Sequence, residues 1–347
     1  MFGYKKEFIY GIIFTAFFAI AATLIANINL IKSLGFSPLV IGIVLGMIYA
    51  NLAHHKAPTI LQGGITFSAK KILRFAIVLY GFRLTFQDVA EVGLEGFLVS
   101  LIMLSSTMLI GSFVGMKLFK LDKDTSILTA SGASVCGAAA VLATEPVLKA
   151  KEDKVAIAVS MVVLFGTISM FLYPVLYEGF IKDATGFLHM NPSQFGIYVG
   201  GSIHEVAQVV AVPASIPNTP EVMAHNAVIV KMTRVLLIAP MLIILGLILA
   251  QSSKEETKTK LTIPWFAIYF LLVVGFNSLN LLPKEIVEYI NIFDTFLLTM
   301  AMSALGMGTI FKNFKSSGAG AFGTALIMFI WLVVGGFIVT KTITSIF

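Results

Sequence analysis

Between about Asp124 and Leu148 the chain is hydrophobic enough to enter a bilayer, yet its centre thins to Ser131-Gly132-Ala133-Ser134-Val135-Cys136-Gly137-Ala138-Ala139-Ala140-Val141. A second stretch, Val199-Gly200-Gly201-Ser202-Ile203-His204-Glu205-Val206-Ala207-Gln208, has the same character and adds two ionisable residues. Backbone released from helical bonding in lipid is tolerated only where protein buries it or where it lines a water-filled cavity. Paired, glycine-interrupted apolar segments in two halves of a chain point to the binding site of a transporter. The competing reading is a pair of small-residue helix faces in close packing.

Composition sets the class. Of 347 residues, 58% are hydrophobic and 12% charged, and the mean hydropathy is +0.94. Soluble domains carry about 25% charged residues. The expectation is an all-α, polytopic membrane protein of about 9–11 helices with no soluble domain. One transmembrane domain should cover 1–347, with a first repeat over about 37–178 and a second over about 190–347. The single cysteine, Cys136, excludes an internal disulfide. The net charge of +6 comes from lysines in short loops and gives no nucleic-acid signal.

The first apolar run, about Phe8 to Ala26, reads as a retained span; Ala19-Ile20-Ala21 also resembles a signal cleavage site. A second span covers about Pro38–Leu52 and ends at His54-His55-Lys56, a solvated loop with no third metal ligand. Lys70-Lys71-Ile72-Leu73-Arg74 opens a span to about Arg83, followed by an acidic loop at Asp88, Glu91 and Glu95. Further spans are expected at about 97–119, 155–177, 222–251, 262–278, 287–311 and 319–346. Asn191-Pro192 is a helix start. Glu145 and Asp294 fall near span ends and read as ordinary solvated carboxylates.

With the N-terminus in the cytoplasm, the basic loops at Lys56, Lys117–Lys123, Lys254–Lys260 and Lys312–Lys315 all fall inside. Lys149, Lys151 and Lys154 obey the rule only if 124–148 enters the membrane, turns and returns. The second interrupted segment would then dip in from the opposite face. Internal repeats favour this arrangement. At an offset of 225, Leu73 matches Leu298, Gly81 matches Gly306, Gly93 matches Gly318, Leu101-Ile102-Met103 matches Leu326-Ile327-Met328, and Gly111 matches Gly336. The interrupted stretches align at an offset of 69 through Gly132 and Gly201, Ala138 and Ala207, and Val141 and Val210.

Ser131-Gly132-Ala133-Ser134-Val135-Cys136-Gly137, Gly201-Ser202-Ile203-His204-Glu205-Val206-Ala207-Gln208-Val209, and Lys231-Met232-Thr233-Arg234-Val235 with Ala239-Pro240 resemble the YeiH-type family of bacterial membrane proteins over essentially the whole chain. That family is described as sulfate exporters and is distantly related to bile-acid/sodium symporters and sodium/proton antiporters. The resemblance implies secondary transport of a sulfur oxyanion across the bacterial inner membrane.

Charges within a membrane are functional hypotheses by default. Lys231 and Arg234 lie one helical turn apart on one face, and the planar guanidinium fork suits sulfate or sulfite. Anchoring the span, or pairing with Glu205, is the structural alternative. Half-helices that start at the breaks would aim N–H groups at an anion. The expected substrate-binding set is Ser131, Gly132, Ala133, Ser134, Gly200, Gly201, Ser202, Lys231 and Arg234, and the ion-coupling pair is His204 and Glu205. His204-Glu205-Val206-Ala207-Gln208 fails as a zinc-protease motif, because Gln208 stands where the second histidine is required. No metal, cofactor or enzymatic activity is expected. The expected partners are a small inorganic anion, a coupling proton or sodium ion, the lipid bilayer, and a second copy of the chain as a homodimer. The alternatives are a sodium/proton antiporter or sodium-coupled carrier, and a non-transport, holin-like or regulatory membrane protein.

Overall fold

The structure is a computed structural model that describes residues 2–28, 37–53, 59–252, 265–310 and 318–347, and every regular element among them is helical. The chain runs through α1 (Phe2–Ala26), α2 (Pro38–Ala53), α3 (Gln62–Phe67), α4 (Leu73–Tyr80) and α5 (Phe86–Phe113). Then come α6 (Lys123–Ser134), α7 (Ala138–Leu148), α8 (Glu152–Leu176), α9 (Pro192–Ser202), α10 (Val206–Ala214), α11 (Glu221–Leu236) and α12 (Ile238–Ser252). The last four are α13 (Trp265–Ser278), α14 (Lys284–Gly308), α15 (Ala319–Ile330) and α16 (Gly336–Ile346). Six continuous helical stretches among the described residues are long and apolar enough to cross a bilayer, and three shorter apolar helices accompany them. This is a polytopic, all-α membrane protein. The basic loops expected at His54–Lys56, Lys254–Lys260 and Lys312–Lys315 lie outside the described residues.

The expected acidic loop is instead helical. Asp88 accepts from the Thr85 N–H at 2.7 Å, α5 starts at Phe86, and the helix bends at Gly93, where φ is +39°. Gly318, its counterpart at the 225 offset, also has positive φ, at +84°, and caps α15. Only glycine takes these angles without strain. The long span expected over 222–251 is kinked at Leu237, between α11 and α12. Pro240 lacks the N–H that would continue the ladder, and its ring crowds the carbonyl four residues back.

The chain clusters into two compact units. One comprises Met1–Val89, Pro213–Thr219 and Phe266–Lys312; the other comprises Ala90–Val212, Pro220–Trp265 and Asn313–Phe347. In the first unit α2 lies tight on α14: a Cβ on Gly42 would meet the Ser303 hydroxyl at 2.8 Å, and one on Gly46 would overlap the Ser303 carbonyl. Asp294 corrects the sequence expectation. It is 0% exposed, well inside α14, and its Oδ2 accepts from Arg83 Nη2 at 3.1 Å. Its partner lies 211 residues away in sequence.

In the second unit the contacts fix the direction of each helix. Gly111 on α5 faces Ala130 and Gly115 faces Ser126, so α5 and α6 run antiparallel. Gly336 faces Ser202 and Tyr198, while Lys341 Nζ reaches Gln194 Oε1 at 3.4 Å, so α16 and α9 are antiparallel as well. Between these pairs, Gly111 faces Met328, Gly336 faces Met103, and Trp331 Nε1 donates to Ser106 Oγ at 3.2 Å. Met103 and Met328, Ser106 and Trp331, and Gly111 and Gly336 are each 225 apart. Contacts that map onto themselves when the partners are exchanged are the mark of a two-fold relation, here between inverted repeats. It follows that α6 and α9 point in opposite directions.

Both interrupted segments turn back. Ser131 Oγ lies 2.6 Å from Thr144 Oγ1, although thirteen residues of straight helix would separate them by about 20 Å. Lys154 Nζ donates to Asp122 Oδ2 at 2.7 Å, which brings the exit of the α6–α7 hairpin back to its entrance. Burial opposes the charge on Asp122, but Lys154 and Thr125 bond to the carboxylate and hold its pKa at about 2. In the second segment, Asn226 Nδ2 donates to Ser193 Oγ at 2.8 Å, and Gly200 packs on Ala227. Thus α11 begins beside the start of α9 and runs parallel to it, so α10 must carry the chain back. Asp122 and Asn191 cap the two entry helices alike, each accepting from the N–H three residues on.

The reciprocal glycine contact is open to direct test. Gly111→Val places carbon against the Met328 sulfur and the Ala130 Cβ, so melting of the purified protein in detergent should report a loss of about 1–3 kcal/mol. Gly179→Ala, which meets nothing within 4 Å, should melt like wild type. Equal melting of Gly111→Val and wild type would refute the antiparallel contact.

Candidate functional site

The tips of the two hairpins meet beside one face of α11. Helix α6 ends at Ser134, Val135 leaves helical geometry (φ −117°, ψ −86°), and Gly137 restarts the chain with φ +77°. Helix α9 ends at Ser202, Ile203 is extended, and α10 begins at Val206. The breaks therefore sit at 135–137 and 203–205, inside the two stretches that announced them. Ser131–Ser134 and Gly200–Ser202 are helical. Their small size serves packing: Gly132 is pressed by Val162 and Val141, and Gly200 by the Ala227 carbonyl and Val230. Both readings of these stretches thus hold at once, broken helix and close-packed face.

A helix that stops inside a membrane leaves its last carbonyls without partners. Here two side chains of α11 supply them. Lys231 Nζ donates to the carbonyls of Val135 (2.6 Å), Ile203 (2.7 Å) and His204 (2.7 Å). An ammonium has three protons, and all three are matched. Arg234 donates from Nη1 to Gly201 O at 2.7 Å and, at 3.4 Å, to Gly200 O and Ile203 O. On the other tip, its Nε and Nη2 donate to Ser134 O, and Nη2 also reaches Ala133 O at 3.2 Å. Both residues are 0% exposed. Two cations thus cap two helix C-termini together, the ends where the helix dipole favours positive charge.

The hydroxyls are engaged within the hairpins. Ser131 bonds to Thr144, and Ser134 donates to Ser131 O at 3.1 Å. Ser202 accepts from the Tyr173 hydroxyl at 2.8 Å and itself donates to Tyr198 O, while the Tyr173 and Tyr198 rings stack with centroids 4.9 Å apart. Ser131 and Gly132 lie back from the tip. Ala133, Ser134, Gly200, Gly201, His204, Glu205, Lys231 and Arg234 come together there.

The opposite poles, the N-termini of α7 and α10, are served by Glu205 and Gln208. Glu205 Oε1 accepts from the Ala138 N–H at 3.5 Å, and its carboxyl fills the space a side chain on Gly137 would need. Gln208 Oε1 accepts from the Glu205 N–H at 3.1 Å. An acidic side chain of one hairpin therefore rests at the N-terminus of the other. His204 is 2% exposed, and its Nδ1 has no partner among the described residues. Sequence reasoning missed the roles of the Val135 and Ile203 carbonyls, since backbone groups carry no residue signature. It noted Gln208 only as a failed metal ligand.

Fold and site together define a multi-pass membrane protein built around two oppositely directed, re-entrant, discontinuous helices. A family profile described as Conserved hypothetical protein 698 matches residues 10–325. The chain is 45% identical to a UPF0324 membrane protein of Bacteroides thetaiotaomicron, over 97% of this chain and 98% of that one. It is 45% identical to a UPF0324 membrane protein of Pseudomonas putida, over 95% and 92%. The UPF0324 inner membrane protein YeiH of Escherichia coli is 44% identical, over 98% and 95%. The chain belongs to the UPF0324 family.

Removing Lys231 would take the cap from the Val135 and His204 carbonyls and leave Ile203 O only its long bond from Arg234, each lost bond costing about 1–3 kcal/mol. Lys231→Met should lower stability in detergent by at least ~3 kcal/mol, and the Lys231→Met/Arg234→Met pair should fall short of additive because the two share the Ile203 carbonyl. Wild-type melting of Lys231→Met would exclude the capping role.

Proposed function

We propose that the protein is a secondary active transporter of the bacterial inner membrane, exporting a small oxyanion (sulfate, sulfite or a sulfonate-derived anion) by alternating access with proton coupling. The inner-membrane setting follows the name of the Escherichia coli relative. The cytoplasmic N-terminus follows the lysine distribution, with Lys123, Lys149, Lys151 and Lys154 all at the mouth of the first hairpin.

One observation carries the reading: the Glu205 carboxyl lodges at the N-terminus of α7, next in the chain to the His204 carbonyl that the buried Lys231 holds. A helix N-terminus in a dry site is built for an anion, and in this conformation the protein supplies its own. A substrate oxyanion would take that place when Glu205 accepts a proton and withdraws. A monoanion such as hydrogensulfite or a sulfonate exchanges one for one with the carboxylate, and sulfate brings one further negative charge against the two cations Lys231 and Arg234. The two cations then bind the anion less by direct contact than by holding both tips in register, with positive charge alongside. The substrate-binding role of Ser131, Gly132, Ala133, Ser134, Gly200, Gly201 and Ser202 is proposed in the same sense, as the frame of the tips. The sodium-coupled alternative is weaker, because seven tip carbonyls, the natural ligands for sodium, are already taken by Lys231 and Arg234.

Counterflow in proteoliposomes with radiolabelled sulfate and sulfite tests the proposal. Uptake should exceed that of empty liposomes and respond to an imposed pH gradient. If neither anion shows counterflow, the substrate class is wrong. Glu205→Gln mimics the protonated acid, so it should bind anion with little pH dependence and lose pH-driven transport. Wild-type pH response in that variant would remove Glu205 from the coupling role.

A further inference from the structure

The first compact unit holds a buried ionisable group that the proposed anion site does not use. Asp294 lies on α14, 0% exposed, and Arg83 bonds to one of its oxygens only: Nε at 3.3 Å and Nη2 at 3.1 Å both reach Oδ2. The other oxygen, Oδ1, is buried with no partner among the described residues. One helical turn earlier the Asn291 Oδ1 is also buried without a partner. Residues three apart share a helix face within reach of a hydrogen bond. Arg83 Nη2 also serves Asn291 O at 2.6 Å and Thr295 Oγ1 at 2.8 Å, and the Thr295 hydroxyl returns to Asn291 O at 2.9 Å.

Two buried acceptors without partners among the described residues thus lie one turn apart on a membrane-spanning helix, where one hydrogen between them would serve both. We infer that Asp294 is a proton-binding site, with the proton on Oδ1 donated to Asn291 Oδ1, so that a single proton satisfies both oxygens. Arg83 keeps its bonds to Oδ2 and to Asn291 O in either state, which makes the site a store for one proton and not a salt bridge that breaks. The charged surroundings are simple. On the elements packed against α14, Lys70, Lys71 and Arg74 are exposed, Tyr10 is exposed, and Tyr49 packs on Phe14 and Phe18. Among the described side chains, Arg83 faces the carboxyl, seated over the ring of the buried Tyr80 at 5.1 Å. On α14 itself Lys284, Glu285, Glu288 and Tyr289 are exposed. The site is independent of the anion reading: it would bind its proton whatever the protein carries.

Infrared difference spectroscopy of the purified protein, titrated between about pH 5 and about pH 9, tests the inference without a transport assay. Wild type should show the C=O stretch of a hydrogen-bonded carboxylic acid that Asp294→Asn abolishes. Asn291→Ala should shift that band to the frequency of a free acid and weaken proton binding about tenfold, one pKa unit. If Asp294→Asn does not fold, the Asn291→Ala shift decides. An identical spectrum in the variants overturns the proposal. So does an Asp294 carboxylate band that moves on adding sodium chloride, which would make the ligand a metal cation.

Discussion

Two positive charges buried in a membrane protein would be untenable without partners, and two helices ending in mid-membrane would be equally so. Lys231 and Arg234 answer both problems with one set of bonds. Their seven carbonyl partners come from both hairpins, Ala133, Ser134 and Val135 on one and Gly200, Gly201, Ile203 and His204 on the other. Desolvation of a cation is repaid only where geometry is good and each proton finds an acceptor, and here the helix C-termini provide acceptors and a favourable dipole together. The rest of the second unit follows from this knot. Because α11 bridges the tips, α9 must lie against α11, which the glycines at 196 and 200 permit by bringing the backbones into contact.

The inverted repeat explains why the tips meet. Two hairpins of roughly half-membrane depth, entering from opposite sides, reach each other only near the centre. The N-termini that restart at the same breaks are met by Glu205 and Gln208. The arrangement is not symmetric in charge: Gly137 stands at the start of α7 at the position that Glu205 holds before α10. One hairpin offers an empty N-terminus and the other offers the carboxylate that fills it. In the transport cycle we propose, two states of similar energy are needed, and an internal anion that competes with an external one would supply such a pair.

Much of this was legible in the residues. The apolar runs defined the class, the glycine matches 225 apart fell on the contact between repeats, and Lys231 and Arg234 stood out in an otherwise uncharged run. What they bind was not legible, because a basic pair suited to an oxyanion is equally suited to carbonyls, and backbone acceptors leave no trace in composition. The exact break within each stretch was not legible for a related reason. Glycine, alanine and serine mark close packing as readily as interruption, and here the packing lies at Gly132 and Gly200 while the interruption lies at Val135–Gly137 and Ile203–Glu205. Asp294 was misjudged because α14 starts earlier than its apolar run, and because Arg83 is far away in the chain.

Arg234 and Lys231 hold both interrupted helices together, each bonding to carbonyls of both tips. Hydrogen–deuterium exchange in Arg234→Lys tests Arg234's share directly, since an ammonium has three protons for the five carbonyls that the guanidinium fork reaches across both tips. Peptides covering 131–138 and 200–206 should exchange faster than in wild type, and should do so together, while the body of α11 stays protected. If neither segment changes, or if only the α11 peptide does, the two tips are held by something other than Arg234.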